Sequence, residues 1–545
     1  MPLLRLRIPT MLLGILILAF ILRVLGIGYG LPLTTVADET PFTYGALQMI
    51  QSHTLIPALH PDLFASILPY PPYISYVLMP PFAAIIAIKY VLFHGTFTMF
   101  KATLLSNLSA FFIVARILNV LLGTLSVYFV YVITERLFHS RIASLSAAFL
   151  LATSLLHVAL SMVGRDWVPI SLIFLAQLMV LTHSWTLRKR YILTLIIAGV
   201  GMGISALSAT SLIMIGLYYL CFDLRSWRAM TKDVIATLWG AACFVALAAI
   251  PYLLWHSGNG FLKNVTLWDV KNIFGLLLSP ATALAQILNS EPVLVFAFLA
   301  GLVILCFRRK KAGYFIAAWT ASYAIIFYVF FRLEPRFIVP LIPLFCIAGG
   351  YCVSSIWKPK IAPLALIVLL LPLIVSAQLS YLTVKNDTRQ HVLVWAQQHF
   401  TADDKVLVSA GLRIPTQARA VEELRSIDPT VVRKIDEAQE TLDRHDVPYV
   451  LNGLTDMSNS AFIADFPAYA KSHHYTYLIV EPDASMTIRN ILPELIRGAT
   501  VVEDFEGLGE SKWSIIDSNF TGSFIGLFSG ASIGPSVIVY KLADN

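Results

Sequence analysis

Charge is what this chain has least of. Only 13% of its 545 residues are Asp, Glu, Lys or Arg, against 57% hydrophobic. So little charge cannot cover a soluble surface, and the composition is that of a polytopic membrane protein. Cysteine is equally sparse. The five cysteines (Cys221, Cys243, Cys306, Cys346 and Cys352) lie in or beside apolar segments with no Cys-x-x-Cys spacing. A disulfide framework and a zinc site therefore both lack support. His53 and His60 fall in a polar stretch, but no His-x-x-x-His or other metal spacing occurs. The tail, 386–545, contains no Gly-x-Gly-x-x-Gly and no phosphate loop either. The net charge of +7 sits mostly in short basic loops, the pattern of membrane topology and not of a nucleic-acid partner.

What is present is a series of apolar runs separated by basic clusters. Arg5 and Arg7 precede the run 11–29, which reads as a retained signal-anchor helix. Arg188-Lys189-Arg190, Arg308-Arg309-Lys310-Lys311 and Lys358 with Lys360 mark cytoplasmic loops. Between Arg7 and Arg188 the chain must cross the membrane an even number of times, yet five candidate runs lie there. The run 73–93 follows Tyr70-Pro71-Pro72, contains Pro80-Pro81, and is expected to break and not to cross. The same parity requires a tight hairpin within 191–222, turning near Gly199–Ser208. About eleven spans result: 11–29, 109–133, 143–161, 166–185, 192–207, 209–222, 233–254, 291–307, 313–331, 337–356 and 361–380. Residues 31–106 become a long first external segment with juxtamembrane helices. An odd count puts the N-terminus inside and everything after Tyr381 outside.

The tail changes character. In 386–545 charges become frequent and helical and strand patterns alternate. Asp387–Phe400 and Val421–Arg444 read as helices. Lys405–Ala410, Pro448–Leu451, Tyr475–Val480 and Ser536–Leu542 read as strands, and Gly522–Gly534 as an irregular hairpin. The expected architecture is a helical transmembrane module, 1–385, followed by an extracytoplasmic α/β domain of about five strands, 386–545.

Three polar constellations converge on the outer face under this topology. Asp38-Glu39 follows the first span; its plain structural alternative is Asp38 capping the next helix with Glu39 in its first turn. Gly164-Arg165-Asp166-Trp167 opens a later span, where charge at a bilayer boundary needs solvation, pairing or function. There the alternative is Arg165 snorkelling, Trp167 in the aromatic belt and Asp166 capping. Arg332-Leu333-Glu334-Pro335-Arg336-Phe337 separates two late spans, and arginine's planar fork suits phosphate oxygens. The loop 257–290, with Lys263, Trp268, Asp269 and Lys271, could cover such a site. His157 reads as a satisfied buried side chain.

The order of these motifs resembles prokaryotic GT-C glycosyltransferases, in particular the dolichyl-phosphate-mannose-protein mannosyltransferase and aminoarabinose (lipid A) transferase group. The residues that carry the resemblance are Gly28-Tyr29 with Asp38-Glu39, Tyr70-Pro71-Pro72-Tyr73, Arg165-Asp166-x-x-Pro169, Arg336-Phe337-x-x-Pro340-x-x-Pro343, and Asp387-Thr388-Arg389 with Trp395. It spans roughly residues 1–400. It implies transfer of a hexosyl or pentosyl group from a polyprenyl- or dolichyl-phosphate donor to a protein, lipid or glycan acceptor at the extracytoplasmic face of the cytoplasmic membrane, usually with inversion. By that resemblance Asp38 is the catalytic base with Glu39 beside it. Arg336, Arg332 and Arg165 would hold the donor phosphate, and Asp166, Tyr70 and Tyr73 would position substrate. A divalent cation (Mg or Mn) is compatible with this chemistry, but no ligand spacing supports one. The chain departs from the group in having Ser205, Ser208 and Ser211 where a lysine is often found. Two other classes stay open on sequence: a transporter or flippase of a lipid-linked sugar, and a non-catalytic scaffold of the same fold. One-sided placement of the ionisable groups, and no visible inverted repeat, weigh against transport.

Overall fold

The structure, a computed structural model, describes residues 9–33, 39–64, 67–224, 233–254, 285, 287–330, 335–385, 387–408, 411–454, 460–482, 486–509, 513–514, 519–520 and 523–543. Besides the single turn Pro61–Phe64, the described α-helices up to residue 385 are α1 (Thr10–Val24), α2 (Thr40–Gln51), α3 (Tyr73–Leu92), α4 (Phe97–Ser106), α5 (Ser109–Phe138), α6 (Arg141–Thr153), α7 (Leu155–Ser161), α8 (Trp167–Leu181), α9 (Leu187–Ile204), α10 (Ser211–Phe222), α11 (Val234–Leu254), α12 (Pro292–Arg308), α13 (Lys310–Phe330), α14 (Ile342–Ile356) and α15 (Ala362–Lys385). Among the described residues, four helices are long and apolar enough to cross a membrane: α3, α5, Arg336–Ile356 (which includes α14) and α15. The bent pair α6–α7, which turns by 56°, brings this to five, and shorter apolar helices such as α1, α8 and α12 accompany them. The expected span 143–161 is thus a broken one, interrupted at Ser154, whose hydroxyl accepts from the His157 amide and caps α7.

Helix α14 lies at the centre, packed on α6 and α12. Small residues permit this: a Cβ on Gly350 would come within 2.6 Å of the Ala143 carbonyl. The hairpin expected in 191–222 is present. The chain turns through the 3₁₀ segment Ala206–Thr210, and Arg190 near the start of α9 pairs at 3.5 Å with Asp223 beyond α10.

The tandem prolines do not break α3. Pro80 and Pro81 lie inside one continuous 20-residue helix, contrary to expectation. Both prolines are exposed, so the freed carbonyls are not sealed in a core. The segments on either side of α3 touch the same partner: Leu33 packs into the hydrophobic core of the C-terminal α/β region, and α4 packs on that region's helix Lys434–Leu442.

The C-terminal region opens with α16 (Thr388–His399) and strand β1 (Lys405–Val408). It continues through α17 (Ala418–Ile427), α18 (Lys434–Leu442), β2 (Tyr449–Asn452), α19 (Ser460–Ser472), β3 (Tyr477–Val480), α20 (Met486–Leu495), β4 (Thr500–Phe505), the short pair β5 (Trp513–Ser514) and β6 (Asn519–Phe520), and β7 (Val537–Lys541). The main sheet has order β2-β1-β3-β7-β4, with β1 parallel to β2 and β3, and β7 antiparallel to β3 and β4. The helix expected over 421–444 is split at Asp428-Pro429, where the proline cannot donate and the Asp428 side chain accepts from the Thr430 amide. In place of a hairpin, Phe524–Phe528 forms a 3₁₀ turn against α15, with Gln378 donating to the Leu527 carbonyl at 2.9 Å.

Candidate active site

Helix α2 starts at Thr40 with Pro41 in its first turn, so Glu39 and not Asp38 occupies the capping position. Glu39 makes no cap. Its carboxylate accepts two parallel bonds from Arg116, Nε to Oε1 and Nη2 to Oε2, each 2.7 Å, and a third from the Gly164 amide to Oε1 at 2.7 Å. Both side chains are 0% exposed. Arg116 enters from the apolar helix α5, where a lone guanidinium would be costly. Its Nη1 donates to the carbonyls of Ile27 and Tyr29 at 2.8 and 2.7 Å. Bidentate, charge-assisted bonds of this kind fix orientation as well as supply energy. Sealed and engaged at both oxygens, Glu39 has no edge left to take a substrate proton. Burial and the Arg116 fork give it the surroundings of a positioning residue.

The second constellation is joined directly to the first. Asn119, three residues beyond Arg116 on the same helix, donates to the carbonyls of Val163 and Arg165 at 2.5 and 2.7 Å. Gly164 is required at its position: a Cβ there would lie 2.8 Å from Ala115 Cβ and 3.0 Å from Glu39 Oε1. Arg165 and Asp166 follow, both buried. Asp166 precedes α8 without capping it through its side chain, and Trp167 is buried, so neither the capping nor the aromatic-belt reading holds.

The third constellation meets the second through aromatic rings. Phe337 packs edge-on to Trp167 with centroids 5.0 Å apart, and the Arg336 guanidinium lies 5.5 Å from the Phe337 ring. The Phe337 carbonyl accepts from the Tyr323 hydroxyl at 2.9 Å, and Asp166 is within electrostatic reach of Tyr323. Glu39, Arg165, Asp166 and Arg336, distant in sequence, therefore belong to one neighbourhood.

Other expected residues fare differently. Asp38, Arg332 and the loop residues Lys263, Trp268, Asp269 and Lys271 lie outside the described residues. Tyr70 stacks on Phe42 of α2 at 5.0 Å. Tyr73 packs against Gly203 of α9 and donates to the Leu247 carbonyl at 3.2 Å, a helix-packing role. Ser205, Ser208 and Ser211 are buried around the α9–α10 turn, and Ser211 accepts from Gln177 at 3.1 Å. Arg116 and Asn119 are the residues that sequence reading missed, although an arginine inside an apolar run is itself a signal. Arg23 is a second such case. Fully buried, it donates to the carbonyls of Ala19, Leu151 and Ala152 and contacts His157 Nδ1 at 3.0 Å. Among the described residues, no three His, Cys, Asp or Glu side chains gather as a metal site.

With this geometry in hand, the comparisons acquire a position in the molecule. Residues 94–255 match the model of the dolichyl-phosphate-mannose-protein mannosyltransferase family, and that stretch holds Arg116, Asn119 and Gly164-Arg165-Asp166. The resemblance to GT-C membrane glycosyltransferases is thereby supported over 94–255, while Glu39 and Arg336 lie outside the matched stretch. No curated protein matches the sequence. Among solved structures the chain is similar to ArnT from Cupriavidus metallidurans bound to undecaprenyl phosphate, with 13% identity, TM-score 0.45 and 97% of each chain covered. It is also similar to the oligosaccharyltransferase AglB from Archaeoglobus fulgidus in complex with an inhibitory peptide and a dolichol-phosphate, with 14% identity, TM-score 0.46, and 89% of this chain and 70% of that one covered. A third likeness is to the arabinofuranosyltransferase AftD from Mycobacteria, with 16% identity, TM-score 0.37 and coverage of 78% and 34%. Likenesses at this level leave function to be argued from the site.

Proposed function

We propose that this chain is a membrane glycosyltransferase that moves a sugar from a polyprenyl- or dolichyl-phosphate donor to an acceptor hydroxyl at the extracytoplasmic face of the cytoplasmic membrane. The observation that carries the reading is the joining of Glu39 to Gly164, inside the segment that matches the mannosyltransferase family. That bond brings the residue after Asp38 to the turn bearing Arg165 and Asp166, with Arg336 beyond Trp167 and Phe337.

In this reading Asp38 takes the acceptor proton as the hydroxyl attacks the anomeric carbon, with inversion. The leaving group is a lipid phosphate, which needs positive charge on its oxygens more than it needs a general acid. Arg336 and Arg165 supply that charge, joined by Arg332. Asp166 orients substrate beside them. Residues 31–106 stay on the outer side as a juxtamembrane segment, in keeping with the contacts that flank α3 on the C-terminal region.

The test is transfer itself. Membranes containing the protein, supplied with labelled polyprenyl-phosphate sugars, should yield labelled acceptor with inverted anomeric configuration. Labelled donor that crosses the membrane with its sugar still on the lipid would instead establish a transporter. Neither transfer nor movement with any donor would leave a scaffold.

A further inference from the structure

We propose that Tyr29, Asp387 and Arg389 are positioning residues, through which the C-terminal α/β region holds Glu39 and the turn at Gly164 that bears Arg165 and Asp166. The proposal rests on the transferase reading in taking Arg165 and Asp166 as part of the site; the physical coupling it describes does not.

Tyr29 belongs to two networks at once. Its carbonyl accepts from Arg116 Nη1 at 2.7 Å, and its hydroxyl donates to Asp387 Oδ2 at 2.6 Å. Arg116 is the residue that clamps Glu39, and Glu39 in turn holds Gly164. Asp387 is fixed by its own neighbours: Arg389 donates to it from Nε at 2.9 Å and from Nη2 at 3.1 Å, and the Arg389 amide adds a bond of 2.9 Å to Oδ1. Tyr29 is 2% exposed and Asp387 0%. One connected path of buried, charge-assisted bonds thus runs from the start of the α/β region to the turn before Arg165.

Two further contacts show that the α/β region is built around this junction. Leu33 packs against the buried cluster of that region to which Val392, Leu393, Val408 and Leu412 belong. Leu33 is thus anchored to the α/β region, and Glu39 to α5 and Gly164. Gly534, near the far end of the chain, has φ +113°, and a Cβ there would come within 2.8 Å of both Asp387 oxygens and 2.6 Å of Thr388 Oγ1. The close approach to Asp387 and the positive φ both need glycine. The same edge carries the carboxyl ends of β1 and β3, where the Gly411 amide donates to Glu481 Oε1 at 3.0 Å and Arg389 Nη1 lies 3.4 Å from a Cβ built on Gly411.

The experiment compares full-length wild type with Tyr29→Phe, which keeps ring and backbone and loses the hydroxyl. A second variant, Gly534→Ala, displaces Asp387 without removing a polar group and serves if the first fails to fold. Hydrogen exchange in lipid nanodiscs reads the peptide over 162–168, whose Gly164 amide is bonded to Glu39. Transfer from labelled polyprenyl-phosphate mannose and binding of undecaprenyl monophosphate are read alongside. The expected result is exchange over 162–168 faster by roughly tenfold or more, turnover lower by a similar factor, and undecaprenyl monophosphate binding weakened with it, because Arg165 lies in that turn. Faster exchange confined to 387–391, or unchanged turnover in a protein with an exposed 162–168 segment, overturns the proposal. If wild type transfers no sugar the transferase reading fails, and the exchange measurement alone decides the coupling.

Discussion

Two arginine–glutamate pairs in this molecule have almost the same geometry and opposite surroundings. In the helical body Arg116 and Glu39 meet at 2.7 and 2.7 Å, with both side chains 0% exposed. In the α/β region Arg425 and Glu440 meet at 2.7 and 2.6 Å, with side chains 40% and 29% exposed. Geometry does not distinguish them; solvent does. The exposed pair competes with water and salt for each partner, whereas the buried pair is sealed from both and orders the carbonyls and the amide bonded to it.

The comparison breaks if the two pairs respond alike. Removing the carboxylate from the buried pair strands a guanidinium in an apolar body, so Glu39→Gln should cost about 3–5 kcal/mol of stability, read as loss of folded protein on heating in detergent. The double variant Glu39→Leu/Arg116→Met should recover much of that stability and none of the transfer activity, because the turn at Gly164 loses its anchor. A Glu39→Gln protein that melts with wild type would place the pair with its exposed counterpart.

An intermediate effect belongs to Arg336. Charge-assisted contact with phosphate predicts donor binding weaker by about 10–100-fold in Arg336→Ala, with Arg336→Lys between the two because lysine keeps charge and loses the fork. Equal affinity for undecaprenyl monophosphate in all three would remove Arg336 from the donor site.

The smallest effect is expected at the exposed pair. Arg425→Ala should leave the melting temperature almost unchanged, and less still should remain at high salt. Hydrogen bonding to Arg425 holds the Glu440 carboxyl below the usual carboxylate range. What stability the pair adds is therefore present above that range and lost as pH falls through it. An acid titration of wild type against Glu440→Gln reads this directly. A difference that grows with rising pH above neutrality would contradict the assignment.

The same contrast explains what could be read without coordinates. The strands β1, β2, β3 and β7 carry apolar runs bounded by polar turns, and all four are legible. In the main sheet the missed strand is β4, which is exposed almost throughout and contains Glu503 and Asp504, so its place in the sheet comes from pairing with β7 and leaves no hydrophobic pattern. Helix α3 was misjudged because the rule that proline breaks helices assumes a freed carbonyl has nowhere to go, and Pro80 and Pro81 lie on an exposed face. Arg165-Asp166 and Arg336-Phe337 do meet, through Trp167 and Phe337, in agreement with the expectation that the two share one face. Arg116 was overlooked inside an apolar run because its meaning lies in the buried carboxylate it meets 77 residues back along the chain.

The central claim is that Asp38 is the base of a glycosyl transfer, and one variant tests it. Asp38→Asn keeps size and hydrogen-bonding capacity and removes the basic oxygen. The account predicts turnover lower by roughly 10²–10⁴ with undecaprenyl monophosphate binding retained, since the carboxylate serves the acceptor and not the phosphate. A folded, donor-binding Asp38→Asn protein that transfers sugar at the wild-type rate would contradict it.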